Sequence, residues 1–116
     1  MAVNTELLKG NAQTIVLKLL SRVDMYGYQI AQELERISDG RFQLTEGTLY
    51  PLLHALEADA SVESYWGEGQ GARRRKFYRI TEKGRGLLRK KAEEWASFRA
   101  GMDLVLTMEF SLAEFA

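Results

Sequence analysis

A chain of 116 residues has room for one compact core and an appended helix, but not for two ordinary domains. Its apolar share of 46% without any long apolar run predicts a globular protein with no membrane span; the absence of cysteine removes disulfides and thiolate metal sites. A formal net charge of zero speaks, taken alone, against a polyanionic partner.

From Thr5 to Val23, Leu8, Ala12, Ile15, Val16, Leu19, Leu20 and Val23 recur at intervals of three and four, which predicts a helix with a wide apolar stripe. Asn4 or Thr5 is placed to cap it, and Gly10 weakens its first half. Asp24 and the break at Met25-Tyr26-Gly27 open a second helix with Ile30, Ala31, Leu34 and Ile37 as its buried face. Ser38-Asp39-Gly40 ends that helix with turn chemistry. Arg41-Phe42-Gln43-Leu44 is short enough for one strand or an extended turn. A third helix is expected from about Glu46 to Ala58, with the Thr45 hydroxyl accepting from its free amides and Leu49, Leu52, Leu53 and Leu56 facing inward. Pro51, the single proline, has no N–H to offer the carbonyl of Gly47, so the first turn should be tightened or irregular.

Next, Val62-Glu63-Ser64-Tyr65-Trp66 and Arg75-Lys76-Phe77-Tyr78-Arg79-Ile80 flank a glycine-containing spacer, the pattern of a β-hairpin with a flexible tip. Thr81 caps a long final helix in which Leu88, Trp95 and Met102 recur at heptad spacing beside Lys91, Phe98 and Val105. The neutral total conceals a segregation of charge. From Gly71 to Lys91 ten of the 16 basic residues stand against a single acid, Glu82, which leaves the rest of the chain acidic. Such a distribution draws a polyanion to one face and repels it from the others.

Three short helices followed by a hairpin with a basic tip is the order of a winged helix-turn-helix. The expected fold class is therefore mainly α with a small β-hairpin wing. Residues 1–80 would form the DNA-binding domain and 81–116 a long C-terminal dimerisation helix. The third helix is long enough to lie in a major groove, with Thr45, Glu46, Gly47, Thr48 and Tyr50 toward the base edges. Thr48 and Tyr50 bring hydroxyls, and Gly47 lets the backbone approach closely. His54 is read as a surface or phosphate-facing residue, because a lone histidine without cysteine does not build a zinc site. Arg73, Arg74, Arg75 and Lys76 would reach phosphates or the minor groove. On the last helix, Leu88, Trp95 and Met102 make a dimer seam. Trp95, with Leu8, Phe98 and Met102 as neighbours, has a sharper reading as the wall of a cavity between subunits for a flat aromatic ligand. The plainer readings are a solvated basic turn, a Tyr50 ring that only packs, and a Trp95 that only anchors a dimer.

At these residues the chain resembles PadR-like regulators. Gly47-Thr48-Leu49-Tyr50-Pro51-Leu52-Leu53-His54-Ala55-Leu56-Glu57 is similar to their recognition helix, and Tyr26-Gly27-Tyr28-Gln29-Ile30 to the start of their second helix. Arg75-Lys76-Phe77-Tyr78-Arg79-Ile80-Thr81-Glu82-Lys83-Gly84 is similar to their second wing strand and its exit. The resemblance implies a cytoplasmic homodimeric repressor, its last helix exchanged with a partner subunit, on a pseudo-palindromic operator in double-stranded DNA. It also implies relief by a small aromatic, phenolic or multidrug-type effector, with no cofactor and no membrane. Thr48 and Tyr50 match the family's helix contacts, and Arg73 to Lys76 its basic wing. Two departures stand out: Asp59-Ala60-Ser61-Val62, where Asp-Gly and an apolar residue are usual, and Ala72, where a proline is frequent.

Two other classes fit the same sequence, a winged-helix protein-interaction module without specific DNA binding and a non-specific architectural or RNA-binding protein. Catalysis finds little support. There is one histidine, no cysteine and no phosphate-binding glycine loop ahead of a helix, and Glu33-Glu35 and Glu93-Glu94 read as solvated helix faces.

Overall fold

In the computed structural model, which describes residues 1–68 and 74–109, the first helix, α1 (Thr5–Leu20), starts at Asn4. The Asn4 Oδ1 accepts from the amides of Glu6 at 2.9 Å and Leu7 at 3.3 Å, a side-chain cap. Leu8, Ala12, Val16, Leu19 and Leu20 are buried as their spacing requires, joined by Leu17, which the three-four stripe passed over. The helix stops short of Val23, which is exposed. The amides of Ser21 and Arg22 close the last turn on carbonyls of Leu17, Lys18 and Leu19. The chain then enters a strand, β1 (Met25–Tyr26), instead of the expected break before a helix.

α2 (Gly27–Ile37) follows at once, and the Gln29 side chain turns back to accept from the Tyr26 amide at 3.2 Å. Ile30 and Leu34 enter the core, but Ile37 is exposed. The segment Arg41–Leu44 is not a strand. It leads into α3 (Glu46–Ala58), whose buried face is Leu49, Leu53 and Leu56.

Both α2 and α3 end with the chain turned into left-handed backbone. After α2 two residues take it, Asp39 (φ 56°) and Gly40 (φ 77°), with the amides of Asp39 and Gly40 bonded to the carbonyls of Arg36 and Glu35. After α3 only Ala60 (φ 64°) does, with the amides of Ala60 and Ser61 bonded to those of Glu57 and Leu56. Glycine is the usual occupant of this position, because a Cβ crowds the backbone there.

The hairpin strands β2 (Val62–Glu68) and β3 (Arg74–Ile80) pair antiparallel, Val62 opposite Ile80 and Trp66 opposite Lys76. β1 joins the free edge of β3, Met25 opposite Tyr78, so the sheet has three strands in the order β1-β3-β2 where two were expected. One face of the sheet buries Met25, Val62, Tyr78 and Ile80 against the helices. The other carries a ladder of rings: Phe77 stacks on Tyr65 at 5.7 Å and meets Tyr26 edge-on at 5.4 Å.

Thr81 caps the last helix, α4 (Glu82–Thr107), accepting from the Gly84 amide at 3.1 Å while donating to the Ala60 carbonyl at 2.6 Å. Gly84 lies so close to the Ser61 carbonyl that any side chain would overlap it. This fixes where α4 leaves the sheet. From Ala92 onward its described residues are exposed. The Cα radius of gyration, 17.9 Å, exceeds the roughly 13 Å of a compact chain of this length because α4 projects from the core. No helix among the described residues is long and apolar enough to cross a membrane.

Candidate nucleic-acid interface

α3 offers its first turn outward. Thr45 holds the N-cap position with extended backbone (φ −81°, ψ 160°), but its hydroxyl does not bond to the helix amides as expected. It lies 3.4 Å from Thr48 Oγ1, as donor to it. The Thr45 carbonyl takes both the Thr48 amide at 3.1 Å and the Leu49 amide at 2.9 Å, which is the tightened first turn expected ahead of Pro51. Thr45, Glu46 and Gly47 are exposed and Thr48 is half-buried.

Tyr50 points elsewhere. Its ring lies over the first residue of α2, and a methyl group placed on Gly27 would sit 2.6 Å from the Tyr50 hydroxyl. Gly27 is thus the residue that admits Tyr50, and the phenol faces a groove between α3, α2 and the wing rather than the front of the recognition helix. That groove has a volume of about 460 Å³. Glu46, Tyr50 and His54 of α3 form one wall, Arg74, Arg75, Lys76 and Tyr78 of β3 another, and Tyr26, Gly27 and Tyr28 a third. Of the residues singled out from sequence, Glu46, Tyr50, His54 and the three basic residues 74–76 therefore share one space. Thr45, Gly47 and Thr48 stand outside it on the exposed turn, and Arg73 lies outside the described residues. Tyr26, Gly27, Tyr28 and Tyr78 were not singled out as site residues. The Tyr26-Gly27-Tyr28 motif was the signal for the first three, whereas Tyr78 was read only as part of the second wing strand.

The cations of the wing differ in their freedom. Lys76 Nζ is 3.7 Å from Glu57 Oε1, and Glu57 also accepts from the Ser64 hydroxyl, so Lys76 is partly neutralised. Among the described residues no carboxylate pairs with Arg74 or Arg75. Arg75 lies over the Tyr26 ring at 5.1 Å, and its Nε is buried with no hydrogen-bond partner among the described residues.

The remaining basic residues of the cluster do not all face this side. Arg79 is held by Asp24 and Glu63 at 3.3 Å each on the outer sheet face. Lys83 donates to the Asp59 carbonyl, and Arg85 to the Ser21 carbonyl at 3.4 Å. These three tie the sheet and α4 to the helical core, so the basic face is narrower than the run of charges in sequence suggests.

A second, apolar cavity of about 720 Å³ opens between α1, α2 and α4. It brings Leu8 together with Trp95 and Phe98, and adds Ile15, Leu34 and Ile37. Ile37, exposed against expectation, lines this opening. Lys18 and Arg22 bring positive charge to the same walls. Leu88 and Met102 are not among them: Leu88 packs on the core and Met102 is 40% exposed farther along α4.

Residues 16–90 match the model of the transcriptional regulator PadR-like family. The chain belongs to this family. It is 35% identical over 104 residues to a Lysinibacillus sphaericus protein described as "Uncharacterized protein X", covering 90% of this chain and 95% of that one. Among solved structures it is similar to a transcriptional regulator from Clostridium thermocellum, with a TM-score of 0.80 and 32% identity over 88% of this chain and 96% of the other. A PadR family regulator from Eggerthella lenta gives a TM-score of 0.78 and 32% identity over 90% and 88% of the two chains. PadR-like proteins are DNA-binding transcriptional regulators, not enzymes, and a mainly helical winged helix with a long last helix is their fold.

Proposed function

We propose that the protein is a homodimeric repressor that occupies a pseudo-palindromic operator and releases it when a flat aromatic or phenolic molecule binds beside Trp95. The observation that carries the DNA half is the common groove: the α3 residues Glu46, Tyr50 and His54 face Arg74 and Arg75 of the wing, both without a carboxylate partner among the described residues. In this reading Thr45, Glu46, Gly47 and Thr48 meet base edges, while Tyr50, His54 and residues 73–76 hold the phosphate backbone, with Arg74 reaching into the adjoining minor groove. Residues 1–80 act as the reader and 81–116 as the dimerising arm, in the cytoplasm where the DNA is.

The exposed apolar residues of α4 support the dimer. Phe98, Leu104, Val105 and Leu106 are each more than 60% exposed, a surface that a second α4 would cover. The cavity supports the effector. Its volume of about 720 Å³ falls in the range of drug-sized sites, its Trp95 and Phe98 rings suit a planar ligand, and Lys18 and Arg22 suit a phenolate or carboxylate on it. Occupation there would bear on α1 and α4, the two elements that set the spacing of the reading heads in a dimer.

A gel-shift comparison of the DNA upstream of the protein's own gene with random duplex tests the proposal. Preferential binding of the upstream DNA, reversed by phenolic or planar compounds that also quench Trp95, is the expected result. Indifferent binding would leave an architectural protein, and no binding a protein-interaction module.

A further inference from the structure

We propose that Trp66 is a DNA contact of its own, packing its indole on the deoxyribose wall beside the minor groove that Arg74 enters. The inference rests on the DNA-binding reading above and adds a residue to it.

Trp66 lies on β2, in register with Lys76 of β3, on the sheet face that turns toward α3. It is 60% exposed and takes no part in the core. Most other large apolar residues at comparable exposure belong to the cavity or to the far half of α4: Leu7, Ile37, Trp95 and Phe98 in the first, Leu104 to Leu106 in the second. Trp66 belongs to neither. A cation lies over its ring: the Arg74 guanidinium stands 5.9 Å from the ring centroid. Arg74 also forms part of the groove wall opposite Glu46, Tyr50 and His54, which places the indole at the outer rim of the surface that would face a duplex.

The occupant follows from the charges. With the Arg74 guanidinium beside it and Lys76, shared with Glu57, opposite it across the strands, the indole is a poor seat for a basic protein surface. It suits a polyanion that also presents hydrocarbon, and the sugar edges of a duplex do so next to their phosphates. An arginine inserted in the minor groove with an aromatic ring on the adjoining sugar would use both side chains without reading a base. The contact is therefore indifferent to sequence and adds no charge.

These properties give the test, on the full chain with a fluorophore-labelled duplex from upstream of its own gene and a scrambled duplex of the same length. Trp66→Ala should weaken both by about tenfold, leaving the salt dependence and melting temperature unchanged. Trp66→Phe, which keeps a ring, should lose less than about threefold. The native protein should show tryptophan quenching on saturation with DNA that is absent from Trp66→Phe, whose remaining emission comes from Trp95. Native protein that binds the labelled duplex while Trp66→Ala binds equally well, or with no difference in quenching between native and Trp66→Phe, overturns the proposal. Native protein that binds neither duplex overturns the DNA reading as a whole.

Discussion

The Tyr65 hydroxyl donates a 2.6 Å hydrogen bond to Asp24 Oδ2, joining the turn after α1 to the middle of the wing. Arg79 completes the arrangement, its Nε 3.3 Å from the same carboxylate and its guanidinium 4.6 Å from the Tyr65 ring centroid. The bond to Asp24, with burial and the Asp24 charge adding to it, pushes the Tyr65 phenol above its ordinary value of 10.0. A raised phenol binds its proton more tightly folded than unfolded. Its stabilisation is complete below pH 10.0 and is lost as pH rises through the raised value. Tyr65→Phe should cost about 1 kcal/mol at neutral pH and flatten the alkaline part of the stability curve, measured by urea unfolding across pH. An unchanged alkaline slope would show that Asp24 does not hold this proton.

Ala60 occupies a left-handed position that closes α3, where an L-residue is disfavoured by about 1 kcal/mol or more relative to glycine. Ala60→Gly should therefore raise stability by about 0.5–1 kcal/mol after the greater freedom of glycine in the unfolded chain is counted. Urea midpoints of the two proteins decide it. DNA affinity should stay the same, since Ala60 lies at the end of α3 remote from its exposed first turn.

Two glycines of α4 should respond in opposite senses. A Cβ at Gly84 would overlap the Ser61 carbonyl and press on Ile80, backbone and core that cannot yield without moving α4 off the sheet. Gly84→Ala should cost more than about 2 kcal/mol. At Gly101 a Cβ meets nothing within 4 Å, and Gly101→Ala should gain about 0.5–1 kcal/mol from helix propensity. Thermal melts of both variants, run at one protein concentration, test the pair. Loss of stability in Gly101→Ala would point to a partner surface packed on that position, as a dimer seam requires.

The elements that sequence showed plainly are those whose period is long enough to count. α3 and the two hairpin strands emerged near their expected bounds because several turns or alternations repeat the same signal. β1 has only two residues and draws its stability from pairing with β3, distant in sequence, so nothing local announces it. Val23 continued a correct stripe beyond the point where that strand forces the helix to stop. The site was legible in its residue types more than in their directions. Thr48 and Tyr50 stand two apart on one helix and so point to nearly opposite sides of it, Thr48 staying on the exposed turn while Tyr50 turns into the groove, where the missing side chain at Gly27 admits its ring. The heptad on α4 pointed to a dimer seam and the sharper reading of Trp95 to a cavity between subunits, whereas the cavity that Trp95 shares with Leu8 and Phe98 lies within one chain, between α1, α2 and α4. The heptad could not tell that Leu88 lies too near the core, and Met102 too far along the helix, to line the same space.

The division of labour between wing and helix gives the last expectation. Arg74 begins β3 and has no carboxylate partner among the described residues, whereas Lys76 is already 3.7 Å from Glu57. A free cation on a phosphate or in the minor groove releases counterions whatever the sequence, so Arg74→Ala should weaken operator and random duplex alike and lower the log–log salt slope by about one. Lys76→Ala should do so to a smaller extent, since Glu57 already neutralises part of the Lys76 charge. Thr48 carries no charge, and its hydroxyl sits on the exposed first turn of α3. Thr48→Ala should leave the salt slope intact and cost about 1–3 kcal/mol on the operator, with little effect on random DNA. Fluorescence anisotropy titrations of the three variants against both duplexes at several salt concentrations separate the roles. Equal losses on both DNAs for Arg74→Ala and Thr48→Ala, with equal slopes, would mean that helix and wing bind DNA as one undivided patch.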